Sequence, residues 1–101
     1  MAQGPEVKVK KRVAAQLKAL GAYYFYPVTG GFGRSGVPDI VGCYKGLFFG
    51  LECKTGKKAP TPLQALNLRL INDAGGIDLV INETNADDVG TILKDMANGK
   101  T

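Results

Sequence analysis

Two apolar runs, Ile40 to Cys43 and Leu47 to Leu51, flank the dipeptide Lys45-Gly46, and this arrangement constrains the chain more than any other. Lys-Gly is a weaker turn signal than Asn-Gly, but short apolar runs on either side of two turn residues read as a β-hairpin over residues 39 to 54. If the hairpin centres on Lys45-Gly46, paired residue numbers sum to 91, and Asp39 falls opposite Glu52. Opposed residues share a face, with Cβ atoms about 4.5–5.5 Å apart. Lys54 points the same way as Glu52, because strand side chains alternate with period two. The spacing therefore gathers Asp39, Glu52 and Lys54 at the open end of one hairpin.

Two facing carboxylates repel each other unless something positive lies between them. A divalent cation answers this, and oxygen ligands from Asp39, Glu52 and a backbone carbonyl suit Mg2+ or Mn2+. Such an ion activates water and neutralises charge on a phosphate. Lys54 beside it can orient the water or stabilise the transition state. The competing reading is a surface salt bridge from Lys54 to either acid, which is the better account of an isolated Glu-x-Lys. It loses ground here because Pro38-Asp39, the hairpin register and the charge distribution all coincide.

That distribution is uneven. Residues 1 to 60 hold 10 Lys and Arg against 3 acids, Glu6, Asp39 and Glu52, a net of +7. Residues 61 to 101 hold 3 basic and 6 acidic side chains, a net of −3. A basic half beside an acidic half suggests a nucleic-acid face, and two of the three acids in the basic half belong to the hairpin cluster. The chain has no histidine, which removes Ser-His and Cys-His nucleophiles and most zinc sites. Chemistry here must rest on carboxylates, lysine, hydroxyls or a hard metal.

Around the hairpin, the sequence predicts one domain over 1–101 with the element order α-β-β-β-α-β-α. Residues 5 to 20 read as a helix, with Pro5 in the first turn, Gly21 as its stop, and Val9, Val13, Leu17 and Leu20 on one face. Tyr23 to Val28 reads as a strand, and 29 to 37 as a flexible loop. Residues 61 to 74 form a helix capped by Thr61, with Pro62 at its first position and Gly75-Gly76 as its stop. Ile77 to Asn82 is a buried strand, and Asn85 can cap a last helix whose Val89, Ile92, Leu93 and Met96 share a face. Apolar side chains on both hairpin faces imply a mixed α/β sheet flanked by helices.

These motifs together resemble the PD-(D/E)XK nucleases with their restriction-endonuclease-like core, and more closely the small stand-alone VRR-NUC (virus-type replication-repair nuclease) domains. The resemblance spans about residues 5 to 82. It is carried by Pro5-Glu6, Gly36-Val37-Pro38-Asp39, Leu51-Glu52-Cys53-Lys54, Thr61-Pro62-Leu63-Gln64 and Gly75-Gly76. It implies Asp39 and Glu52 as metal ligands with the Cys53 backbone carbonyl, Lys54 as the catalytic lysine, and Glu6 and Gln64 completing the site. Members more often carry Val or Ile where this chain has Cys53. The activity implied is a Mg2+- or Mn2+-dependent DNA endonuclease acting on branched DNA in replication or repair, as a homodimer in the manner of Holliday-junction resolvases.

Other residues have two readings. Glu6 also complements the helix dipole, and Thr61-x-x-Gln64 is a capping box that explains Gln64 without catalysis. The segment Gly30 to Gly36 lacks the Lys-Ser/Thr of a phosphate-binding loop, and presentation of Arg34 and Ser35 to DNA phosphate fits it better. Lys57 and Lys58, just past the Glu-x-Lys strand, are placed similarly. Lys8, Lys11 and Arg12 are candidate DNA contacts on a first helix so rich in lysine that part of it is plain solvated charge. Cys43 and Cys53 read as small core residues, and Tyr23 to Tyr26 as core and dimer surface. With no apolar run long enough to span a bilayer, no signal-peptide pattern and two cysteines, a cytoplasmic location in a bacterial or phage-infected cell is expected. The alternative from another class is a module that binds branched or duplex DNA without cutting it.

Overall fold

A computed structural model describes residues 4–28 and 33–99 of the chain. Residues 29–32, part of the loop expected over 29–37, lie outside the described residues. The elements run α1 (Pro5–Leu20), β1 (Tyr23–Phe25), β2 (Ile40–Tyr44), β3 (Leu47–Cys53), α2 (Pro62–Asp73), β4 (Ile77–Ile81), a 3-10 turn (Ala86–Asp88) and α3 (Val89–Ala97). The four strands form one mixed sheet in the order β1-β2-β3-β4.

The hairpin has the register the spacing predicts. Ile40 pairs with Leu51 and Tyr44 with Leu47, antiparallel. Lys45 and Gly46 both have positive φ, 50° and 81°, the two-residue turn whose twist matches that of the strands. β4 then joins β3 in parallel, with Glu52 beside Val80 and Cys53 beside Ile81. The parallel pairing requires a crossover, and α2 is that crossover.

The alternation of side chains divides the sheet into two unlike faces. Phe49, Leu51, Cys53, Ile77 and Ile81 point to one side and form the core with Val9, Val13 and Leu17 of α1 and Val89 and Leu93 of α3. Gly50 and Glu52 point to the other side, where α2 lies. A Cβ on Gly50 would sit 2.5 Å from Ile71 Cδ1 and 2.9 Å from Pro38 Cγ, so glycine permits this close approach.

Two local expectations are corrected. The first strand ends at Phe25 rather than Val28, and Pro27, which has no N–H to donate, cannot extend the ladder. Asn85 makes no side-chain cap to the helical turn that follows it. Its Oδ1 instead accepts from Asn82 N at 2.8 Å, and its Nδ2 donates to Val80 O at 3.0 Å, closing the turn after β4. Among the described residues, no helix is long and apolar enough to cross a membrane.

Candidate active site

The hairpin's open end carries the site. Past the Ile40–Leu51 pair, the ladder is continued by a side chain: Asp39 Oδ2 accepts the Cys53 N–H at 2.8 Å. Pro38, buried just before it, offers no amide donor. On the far side of β3, Lys54 N donates to Ile81 O at 2.8 Å. The backbone of the Glu-x-Lys segment is thus hydrogen-bonded on both flanks, to the Asp39 carboxylate on one and to the Ile81 carbonyl on the other, which restricts where its side chains can aim.

Glu52 is 2% exposed, an unusual place for a carboxylate. Its Oε2 lies 3.7 Å from Lys54 Nζ, while Oε1 is buried with no hydrogen-bond partner. Burial, and then the nearby Asp39, push its carboxyl up to about 7, and Lys54 offsets only part of this. A buried carboxylate with a free oxygen beside a second carboxylate is a donor set that fits a hard divalent cation. Among the described residues, no group of three His, Cys, Asp or Glu side chains converges as a metal cluster. A bound ion would therefore rest on the Asp39 and Glu52 carboxylates and backbone oxygen.

α1 supplies the next layer. Lys10 Nζ stands 3.6 Å from Asp39 Oδ1 and 3.6 Å from Glu6 Oε2. Burial works against its ammonium, but Asp39 and then Glu6 outweigh it and leave the ammonium more firmly protonated. Glu6 thus meets the site through Lys10. Lys10 is a site neighbour that the motifs do not single out; its i,i+4 spacing from Glu6 is the signal the sequence holds. The Cys53 thiol, pushed up to about 12 chiefly by burial, stays protonated in the core.

The other named residues fall around this centre. Gln64 forms the capping box of α2: its Oε1 accepts the Thr61 N–H at 2.9 Å, and its own N–H donates to Thr61 Oγ1 at 3.2 Å. Arg34 lines a shallow cleft with Phe48, Asn67, Leu70 and Ile71. The Ser35 carbonyl accepts from Asn67 Nδ2 at 3.1 Å, tying that loop to α2. Lys57 and Lys58 are exposed on a turn after β3 whose Gly56 N–H is gripped by the Glu83 carboxylate at 2.9 and 3.2 Å. Lys8 and Lys11 are exposed on α1. Arg12 is engaged elsewhere, pairing with Asp87 at 2.8 Å and reaching the Glu83 carbonyl at 3.4 Å.

No family profile and no curated protein matches the sequence. Among solved structures, one titled "VRR_NUC domain" superposes with a TM-score of 0.69, covering 93% of this chain and 96% of its own, at 20% sequence identity. The fold of this chain is that of a VRR_NUC domain, a mixed four-stranded sheet flanked by helices.

Proposed function

We propose that this chain is a metal-dependent endonuclease that hydrolyses DNA phosphodiester bonds at the Asp39–Glu52–Lys54 cluster. The observation that carries the reading is Glu52: a carboxylate 2% exposed, with Oε1 unpartnered and a second carboxylate beside it. Lys54 meets only one of the Glu52 oxygens, and a buried carboxylate oxygen left without a hydrogen bond is costly to retain for structure alone. Asp39, Glu52 and the Cys53 carbonyl would hold Mg2+ or Mn2+, which when bound supplies Lewis acidity toward phosphate and an activated water. Asp39 is aimed by the Cys53 N–H, and Glu52 by the strand that buries it. Lys54, 3.7 Å from Glu52, would stabilise the negative charge that a scissile phosphate gathers there. Arg34, Lys57, Lys58, Lys8 and Lys11 are the exposed cations proposed to meet the DNA backbone.

The finer reading is a structure-selective enzyme of replication or repair that acts on branched DNA as a homodimer. Support for self-association comes from the half-covered sheet. Tyr23, Phe25 and Phe48 are 72%, 48% and 47% exposed, and Leu63, Leu66 and Leu70 of α2 are 47%, 48% and 42% exposed. The pairing of Tyr23 with Cys43 and of Cys43 with Phe48 puts these rings on one face. At about 150–250 Å2 per aromatic side chain, the exposed fractions of the three rings come to roughly 250–420 Å2, to which the three leucines add, toward the roughly 800 Å2 per partner of a stable interface. The charged residues of α2, Arg69 and Asp73, pair with each other at 3.8 Å, so a second copy would bury apolar surface against its like.

Incubation of the purified chain with labelled four-way junction, flap, nicked and plain duplex DNA, with Mg2+, Mn2+ or chelator, separates the possibilities. Metal-dependent, paired incisions in the junction that disappear in Lys54→Ala support the full reading. Salt-sensitive binding with no cut on any substrate, strengthened by Asp39→Asn, would establish the non-cleaving module instead.

A further inference from the structure

Lys10 and Lys54 divide the two site carboxylates between them. Lys54 Nζ faces Glu52 Oε2 at 3.7 Å, and Lys10 Nζ faces Asp39 Oδ1 at 3.6 Å. The remaining oxygen of Asp39, Oδ2, is taken by the Cys53 N–H at 2.8 Å. Both oxygens of Asp39 therefore have partners, one fixed by the β3 backbone and one on a side chain that can turn away. Lys10 also reaches Glu6 Oε2 at 3.6 Å, one helical turn earlier, so a single ammonium connects α1 to the loop that carries Asp39. Its side chain is 28% exposed, enough buried to hold its place and enough exposed to swing into water.

We propose that Lys10 is a positioning residue, an internal counter-cation that tethers Asp39 to α1 and competes with a divalent cation for Asp39 Oδ1. This rests on the metal-dependent reading above. While the ammonium is in place, it offsets the repulsion between Asp39 and Glu6. A dication ligated by Asp39 must share that oxygen with the ammonium or displace it, and like charges a few ångströms apart repel. Lys10 therefore sets the metal concentration at which the site fills, trading affinity for a site that is assembled beforehand.

The test measures Mn2+ binding to the full chain by electron paramagnetic resonance at fixed pH and ionic strength, in wild type, Lys10→Met, Lys10→Arg and Glu52→Gln. Methionine keeps the unbranched stem and removes the charge. Lys10→Met is expected to bind Mn2+ roughly 3- to 10-fold more tightly than wild type, and Lys10→Arg to return to the wild-type value. Thermal unfolding in chelator supplies the second readout: the effect of Lys10→Met should shrink in an Asp39→Asn background, as for residues that interact directly. Additive effects would remove the tether. Mn2+ binding that is tight in wild type and unchanged or weaker in Lys10→Met overturns the competition alone. Wild type that binds Mn2+ no better than Glu52→Gln overturns the metal reading and the competition with it.

Discussion

A carboxylate buried to 2% exposure contributes to pH dependence with a definite sign. Glu52 has an unfolded-state pKa near 4.5 and a folded-state value of about 7, raised first by burial and then by Asp39. Between those values the folded chain holds more protons than the unfolded one, so this residue makes stability fall as pH rises from 4.5 to 7 and level off above. A shift of this size corresponds to on the order of 3 kcal/mol. In chelator, Glu52→Gln should melt higher than wild type at pH 8, and the difference should close toward pH 5. Melting curves across that range check it; a Glu52→Gln variant less stable at pH 8 than at pH 5, relative to wild type, contradicts the burial account. The same residue shows how far sequence carries. The hairpin arithmetic places Glu52 opposite Asp39, but the burial of its carboxylate is a tertiary property that no local pattern reports. Lys10 was hidden for a similar reason, because a Glu-Lys pair four apart on a helix looks the same on any surface.

Each element's boundaries follow the signals where those signals are local. Gly21, at φ 77°, ends α1 with its N–H on the Lys18 carbonyl. Thr61, Pro62 and Gln64 start α2 with both bonds of the capping box formed. Asn85 went otherwise because its side chain can close a turn as well as cap a helix, and the choice is made by where Val80 and Asn82 present their backbone groups. The capping box yields a prediction that separates the two roles of Gln64. Glutamate preserves the box, whereas alanine removes half of it. Thr61→Ala should cost about 1 kcal/mol of stability, and Gln64→Glu little. If the amide of Gln64 acts in catalysis, Gln64→Glu will lose cleavage while its melting temperature stays near wild type. Equal activity in Gln64→Glu would assign the residue to the cap.

On the scale of the whole molecule, the sheet is covered unequally. α1 and α3 cover the core face, while α2 lies over β3 and β4 on the other. The mixed sheet and its flanking helices are legible in the sequence from the hairpin, the two helical stripes and the Gly75-Gly76 stop. The bare half of the second face is legible only in part, because the run Tyr23 to Tyr26 reads as core and dimer surface together and nothing local says which rings stay exposed. If a second copy covers this face, Leu66→Glu, a change at a half-exposed helix position, should convert a dimer to a monomer in sedimentation at unchanged helicity. Wild type that sediments as a monomer, or a Leu66→Glu variant that remains a dimer, removes this surface from the assembly.

The measurement that bears most directly on the central claim is the single-turnover cleavage rate on the preferred DNA substrate in Mn2+, for wild type and Glu52→Gln at matched folded fraction. Glutamine keeps the shape of the buried side chain and removes the charge that a cation would need. Wild type is expected to cut in a metal-dependent manner, abolished by chelator and reduced by about 100- to 1000-fold or more in Glu52→Gln. Cutting at the wild-type rate by Glu52→Gln, or cutting by wild type that persists in chelator, would contradict it.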